Sequence, residues 1–128
     1  MSYYFSKVVN EDFDTAVLTV SAALKKEGFG ILTEIDIQQT LKKKLDVDFR
    51  KYKILGACNP QLAYEALLTE DAIGTMLPCN VIVQEQKNGQ IEVAAVDPVA
   101  SMKAIENNHL REVAKKVREK LKEVILQL

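Results

Sequence analysis

Cys58 and Cys79 are the two cysteines of this 128-residue chain, and each precedes an asparagine and stands near a proline, in "GACNP" at 56–60 and "LPCNV" at 77–81. Thiols so placed can attack a substrate, resolve a disulfide, ligate a metal or fill space. Asn59-Pro60 is a strong helix start, because Asn accepts a bond from the unpaired first-turn amides and Pro in that turn has no amide to lose. Cys58 would then end a strand just before a helix, where the positive end of the helix dipole favours the thiolate. Cys79 would be its resolving partner. Beside this stands the ordinary role of a free cysteine as a small buried hydrophobe. Asn59 and Asn80 likewise have plain roles, as a cap and as a strand-edge hydrogen-bonding side chain. Zinc usually takes four Cys, His or carboxylate ligands, and His109 is the one histidine. Cys58, Cys79 and His109 are therefore weak metal candidates, and neither a metal nor another cofactor is expected.

Glu34 and Asp36 fall two residues apart on one face of an alternating stretch, "FGILTEIDI", the placement a carboxylate pair needs for acid–base work or for holding a cation. Two acids on the solvent side of a half-buried strand explain them as well. Asp97 reads as a helix cap, and Lys42 to Lys44 as a solvated helix face that could touch an anion. There is no phosphate loop, dinucleotide fingerprint, nucleophile elbow or HExxH motif, so the familiar enzyme classes are excluded and the balance leans away from catalysis.

The elements that must position these residues are legible from periodicity. Residues 2–9 are aromatic and β-branched and read as a strand. Residues 12–27 set Phe13, Ala16, Val17, Val20, Ala23 and Leu24 on one helical stripe, with acids at the start, lysines at the end and Gly28 as the left-handed cap. The alternating strand at 29–37, a short helix at 38–45 and a strand at 51–58 follow. The helix after Pro60 should turn Leu62, Ala63, Ala66 and Leu67 inward. Asn88-Gly89 predicts a two-residue hairpin turn that sets Gln86 opposite Ile91, Gln84 opposite Val93 and Glu85 opposite Glu92. Away from the turn this hairpin is apolar on both faces, which asks for cover on both sides of the sheet. Asp97-Pro98 starts a short helical segment. The helix from 108 carries Leu110, Ala114, Val117, Leu121, Val124 and Leu128 at alternating steps of four and three, widened by Val113 and Ile125, and can pack on its own sheet or form a dimer seam.

These elements make one domain, with no linker or internal repeat, and 128 residues suffice for a core without disulfide staples. The start lacks a basic-then-apolar leader and no apolar run is long enough to span a membrane, so a cytoplasmic protein with reduced thiols is expected. A net charge of −1 gives no basic excess for nucleic acid, although residues 109–128 hold six Lys/Arg against three Glu.

"GFGILTEIDIQQTLKKKLDVDFRKYKILGACNP" followed by "LLTEDAIGTMLPCNVIVQEQKNG" resembles the small bacterial and archaeal domain of unknown function 302 family, from about residue 4 to the last helix. "LGACNP" and "LPCNV", in this order, are its most specific pieces. The resemblance implies an α+β fold with a curved antiparallel sheet, similar to the TATA-binding-protein arrangement, and homodimers, but no reaction. Cys58, Asn59, Pro60, Pro78, Cys79 and Asn80 match its signature stretches, and Glu34 and Asp36 its acidic strand. The expectation is a single α+β domain of about five strands with helices mainly on one face. Its function would be that of a homodimeric small-ligand-binding or sensor module, with a pocket near Cys58 and Cys79. The alternative is a thiol- or metal-dependent enzyme or redox sensor using Cys58, Cys79 and Glu34 or Asp36.

Overall fold

A computed structural model of the chain describes residues 2–128. Its five strands are β1 (Tyr4–Val9), β2 (Gly30–Asp36), β3 (Tyr52–Cys58), β4 (Cys79–Glu85) and β5 (Ile91–Val96), and they form one sheet in the order β1-β5-β4-β3-β2. Every neighbouring pair is antiparallel. The helices are α1 (Phe13–Lys26), α2 (Ile37–Leu45), α3 (Pro60–Thr69), α4 (Pro98–Ser101) and α5 (Asn108–Leu126), and a 3-10 turn covers Asp71–Met76.

Helix α1 forms as its stripe requires. Asp12 accepts a bond from the Thr15 amide at 2.8 Å, Lys25 and Lys26 occupy the last turn, and Gly28 follows with φ +86°, a conformation that suits glycine. All six residues of the stripe are buried, against the sheet and α5. Helix α5 is opened by Asn107, whose side chain accepts from the Leu110 amide and donates to the carbonyl of Thr69, tying α5 to the end of α3. Its apolar stripe is consumed within the chain. Leu110, Val113 and Ala114 pack with Leu62, Ala66, Ile73 and Met102, while Leu121, Val124 and Ile125 join α1 and the sheet. No apolar seam is left on α5 for a partner helix.

The sheet departs from expectation in three places. The hairpin loop has three residues, Lys87, Asn88 and Gly89, closed by Gly89 N to Gln86 O at 2.9 Å and Gln86 N to Gln90 O at 2.8 Å. Gly89 has φ +83°, so it serves as the left-handed third residue of a type I turn with a bulge. The longer loop shifts the register by one, and Gln84 lies opposite Glu92, Val83 opposite Val93 and Ile82 opposite Ala94. A one-residue shift in pairing decides which side chains share a face. Strand β2 is not half buried: it is an edge strand with a register irregularity between Ile31 and Thr33, and Leu32 is 65% exposed. Leu67 of α3 is exposed rather than turned inward, whereas Leu62 and Ala66 are buried.

One sheet face carries Leu55 and Ala57 of β3, Val81 and Val83 of β4, and Val93 and Ala95 of β5, all sealed beneath α1 and α5. Strand alternation sends Ile54, Ile82, Gln84, Glu92 and Ala94 to the opposite face. Across β1, β5 and β4 the helices with the main contacts are α1 and α5, which lie over the first face, so among the described residues the opposite face has no comparable helical cover.

Candidate functional site

The chain does bring the two cysteine stretches together. After α3, the 3-10 turn buries Ile73 and returns the chain so that β4 runs antiparallel to β3, with Ala57 opposite Cys79 and Gly56 opposite Asn80. Cys79 therefore pairs with Ala57, the residue before Cys58. Alternation turns Cys79 into the core and Cys58 off the other side of the strand. Both border one small apolar cavity, shared with Leu62, Val113 and Ala114 and about 30 Å3 in volume, the share of a single water molecule. The surroundings oppose ionisation. Burial pushes the Cys58 thiol above its ordinary value, and burial with the proximity of Cys58 pushes Cys79 to about 11. For Cys58, burial acts against the activation that a helix start would supply.

The residues around the thiols have structural work. Asn59 caps α3 by accepting from the Leu62 amide at 3.2 Å, and its amide nitrogen donates to the Glu27 carbonyl at the end of α1. A Cβ at Gly56 would collide with Thr33 Oγ1 and fall 2.8 Å from the Pro78 ring. Gly56 and Pro78 thus pack directly on each other, so the two similar stretches form the two sides of one contact. The Leu77–Pro78 peptide is cis.

The remaining candidates are scattered. Glu34 forms an ion pair with Lys53 at 2.8 Å, and that bond is the main reason the Lys53 pKa is raised. Asp36 caps α2 by accepting from the Gln39 amide at 2.9 Å. Lys53 lies opposite Asp36 in the β2–β3 ladder, so both acids sit beside a cation rather than around an empty space. Asp97 is buried, caps α4 through the Val99 amide and meets Arg118 at 3.3 Å. His109 is exposed in the first turn of α5 and does not border the cysteine cavity. Among the described residues, no three His, Cys, Asp or Glu side chains cluster in a way that could hold a metal ion.

The largest feature missed by motif reading is the uncovered sheet face. A shallow cleft of about 360 Å3 opens there, bordered by Tyr3, Tyr4, Tyr52, Asn80, Ile82 and Glu92. Arg50 Nε donates to Gln84 Oε1 at 3.0 Å, Gln84 Nε2 donates to Glu92 Oε1 at 2.9 Å, and the Arg50 guanidinium stacks on Phe49 and Tyr52. Of the candidate site residues read from the sequence, Asn80 borders this cleft. The signal for it was the hairpin, apolar on both of its faces.

A family model described as "Domain of unknown function DUF302" matches residues 5–128. Among solved structures, the uncharacterized conserved protein DUF302 from Bacillus stearothermophilus superposes with a TM-score of 0.92 at 26% identity, over 99% of this chain and 98% of that one. No curated protein matches significantly. No helix among the described residues is long and apolar enough to cross a membrane.

Proposed function

The chain belongs to the DUF302 family, a membership that carries a fold and no activity, and from that premise we propose that it is a homodimeric small-ligand-binding module without catalysis of its own. The supporting observation is the uncovered face. A globular monomer of 14.3 kDa is expected to expose about 6800 Å2, whereas this chain exposes 7840 Å2. The excess over the whole chain, about 1000 Å2, is of the size that an interface burying ~800 Å2 per partner would remove. Much of the uncovered face is apolar, and Tyr3 and Val8 are 68% and 45% exposed. Since the α5 stripe is already spent on the core, the sheet face is the surface that a second copy would cover, packing sheet on sheet.

The ligand's place is a separate matter. The cavity beside the cysteines, at about 30 Å3, is far below the ~300 Å3 of an ordinary ligand pocket. The thiol-dependent alternative has the weaker support, because burial pushes both thiols above their ordinary value, the opposite of what a reactive thiolate needs.

Light scattering tests the assembly. The wild-type chain should have twice the monomer mass at micromolar concentration, and Val8→Asp or Ile82→Asp should bring it to the monomer mass with the far-UV circular dichroism unchanged. A wild-type protein that remains monomeric at high concentration defeats this reading.

A further inference from the structure

We propose that the groove between α4 and α5 is a binding site for a free, unbranched alkyl carboxylate. The groove has a volume of about 330 Å3 and is lined by Val99, Met102 and Lys103 on one side and by Leu110, Arg111, Ala114 and Lys115 on the other. Its floor is apolar: Met102, Leu110 and Ala114 are all buried, and Val99 is 37% exposed at the margin. Its rim is cationic. Lys103, Arg111 and Lys115 are exposed, and no acidic residue lines the groove.

The nearby acids leave most of that charge free. Lys103 makes no ion pair among the described residues, Arg111 bonds only the neutral side chain of Asn108 at 3.2 Å, and Lys115 has a solvent-exposed contact with Glu112 at 3.6 Å that is worth little. Asp97, at the start of α4, is held by Arg118 one turn further along α5. An apolar trough with a ring of cations fits an aliphatic tail that ends in an anion. A membrane surface fits less well, because a helix lying on lipid turns a continuous apolar face outward, and the exposed residues of α5 around the groove are the charged Arg111, Glu112, Lys115 and Lys116.

This inference supplies a ligand class to the binding-module reading and is independent of the dimer contact, which involves the opposite face of the sheet. The test uses the full chain and monomeric decanoate, below its micelle concentration, in titration calorimetry. One decanoate should bind per chain. Decan-1-ol should bind at least about tenfold more weakly, the equivalent of one lost charge interaction of ~1.4 kcal/mol. The triple variant Lys103→Glu, Arg111→Glu, Lys115→Glu alters only exposed residues and should weaken decanoate by a similar factor. Val99→Trp places a single tryptophan in a chain that has none, and its emission should shift with decanoate but not with decyltrimethylammonium. Equal binding of the cationic amphiphile, an unaffected triple variant, binding to phosphatidylglycerol vesicles but not to the monomer, or no binding at all would overturn the proposal. Val8→Asp separates the two readings, because it should abolish the dimer and leave decanoate binding intact.

Discussion

Along β3, β4 and β5, neighbouring residues differ in fate according to which side of the sheet they meet. Leu55, Val81 and Val93 are completely or almost completely buried under α1 and α5. Ile82 and Glu92, each one step along β4 and β5, lie on the opposite face, away from α1 and α5. The first face completes the fold inside one chain. The second is mixed in composition: Val8, Ile82 and Ala94 share it with Ser6, Asn80 and a polar row linked by hydrogen bonds from Arg50 through Gln84 to Glu92. The difference separates what the domain needs to fold from what it can offer to a partner.

The largest expected effect breaks the comparison directly. Leu55→Ala should cost roughly 2–5 kcal/mol in urea denaturation, the usual range for a fully buried leucine, and the loss should not depend on protein concentration. Ile82→Ala should cost less in dilute solution, and its cost should grow as concentration rises, because the second copy would seal that face. Equal, concentration-independent losses at both positions would mean that the open face contributes nothing to assembly.

The next effect belongs to the thiols of the sealed side. Below about pH 9 the Cys79 thiol is protonated whether the chain is folded or not. Between its ordinary value of 9.0 and the folded value of about 11, the unfolded chain releases the proton and the folded chain keeps it. Stability should therefore fall as pH rises through this window, by an amount on the order of 2 kcal/mol. Chemical denaturation of wild type and Cys79→Ala across pH 8–11 isolates the effect, since the other titrating groups are common to both. A variant with the same slope as wild type would show that burial does not hold this thiol neutral.

Gly56 comes third, at the point where the two signature stretches meet. Gly56→Ala should cost ~1–3 kcal/mol, as overpacking usually does, because the new methyl has both Thr33 Oγ1 and the Pro78 ring in its way. Thr33→Ala in the same chain should recover part of the loss, and additivity of the two would refute the contact.

How much of this was readable beforehand follows from the range of each interaction. Helix α1, the cap at Asn59 and the left-handed Gly28 depend on neighbours within a few residues, and each stands where periodicity and capping chemistry put it. The hairpin was right in place and wrong by one residue, because Asn88-Gly89 serves a two-residue turn as readily as Gly89 closes a three-residue one. Strand β2 alternates like a half-buried strand, but alternation shows only that a face could be covered, and this strand ended at the sheet edge. The cysteines show the same limit. Their approach needed the return through residues 71–76, and whether Cys79 faced Cys58 or Ala57 was a matter of one register step.

The smallest effect concerns the acidic strand. Glu34 and Asp36 suggested a paired site, and in the fold one holds Lys53 while the other caps α2. Glu34→Gln should lower stability by less than ~1 kcal/mol, because Glu34 is half exposed and water screens the pair. The Lys53 pKa should fall toward its ordinary value, since the bond from Glu34 is the largest reason it is raised. The sign of the pH effect follows: a raised lysine pKa adds stability that is fully present below about 10.5 and is lost as pH climbs through the folded value. NMR titration of the Lys53 side chain in wild type and Glu34→Gln reads this shift. An unchanged Lys53 would leave Glu34 uncommitted, and the acidic strand would again be open to the cation-binding role its spacing suggested.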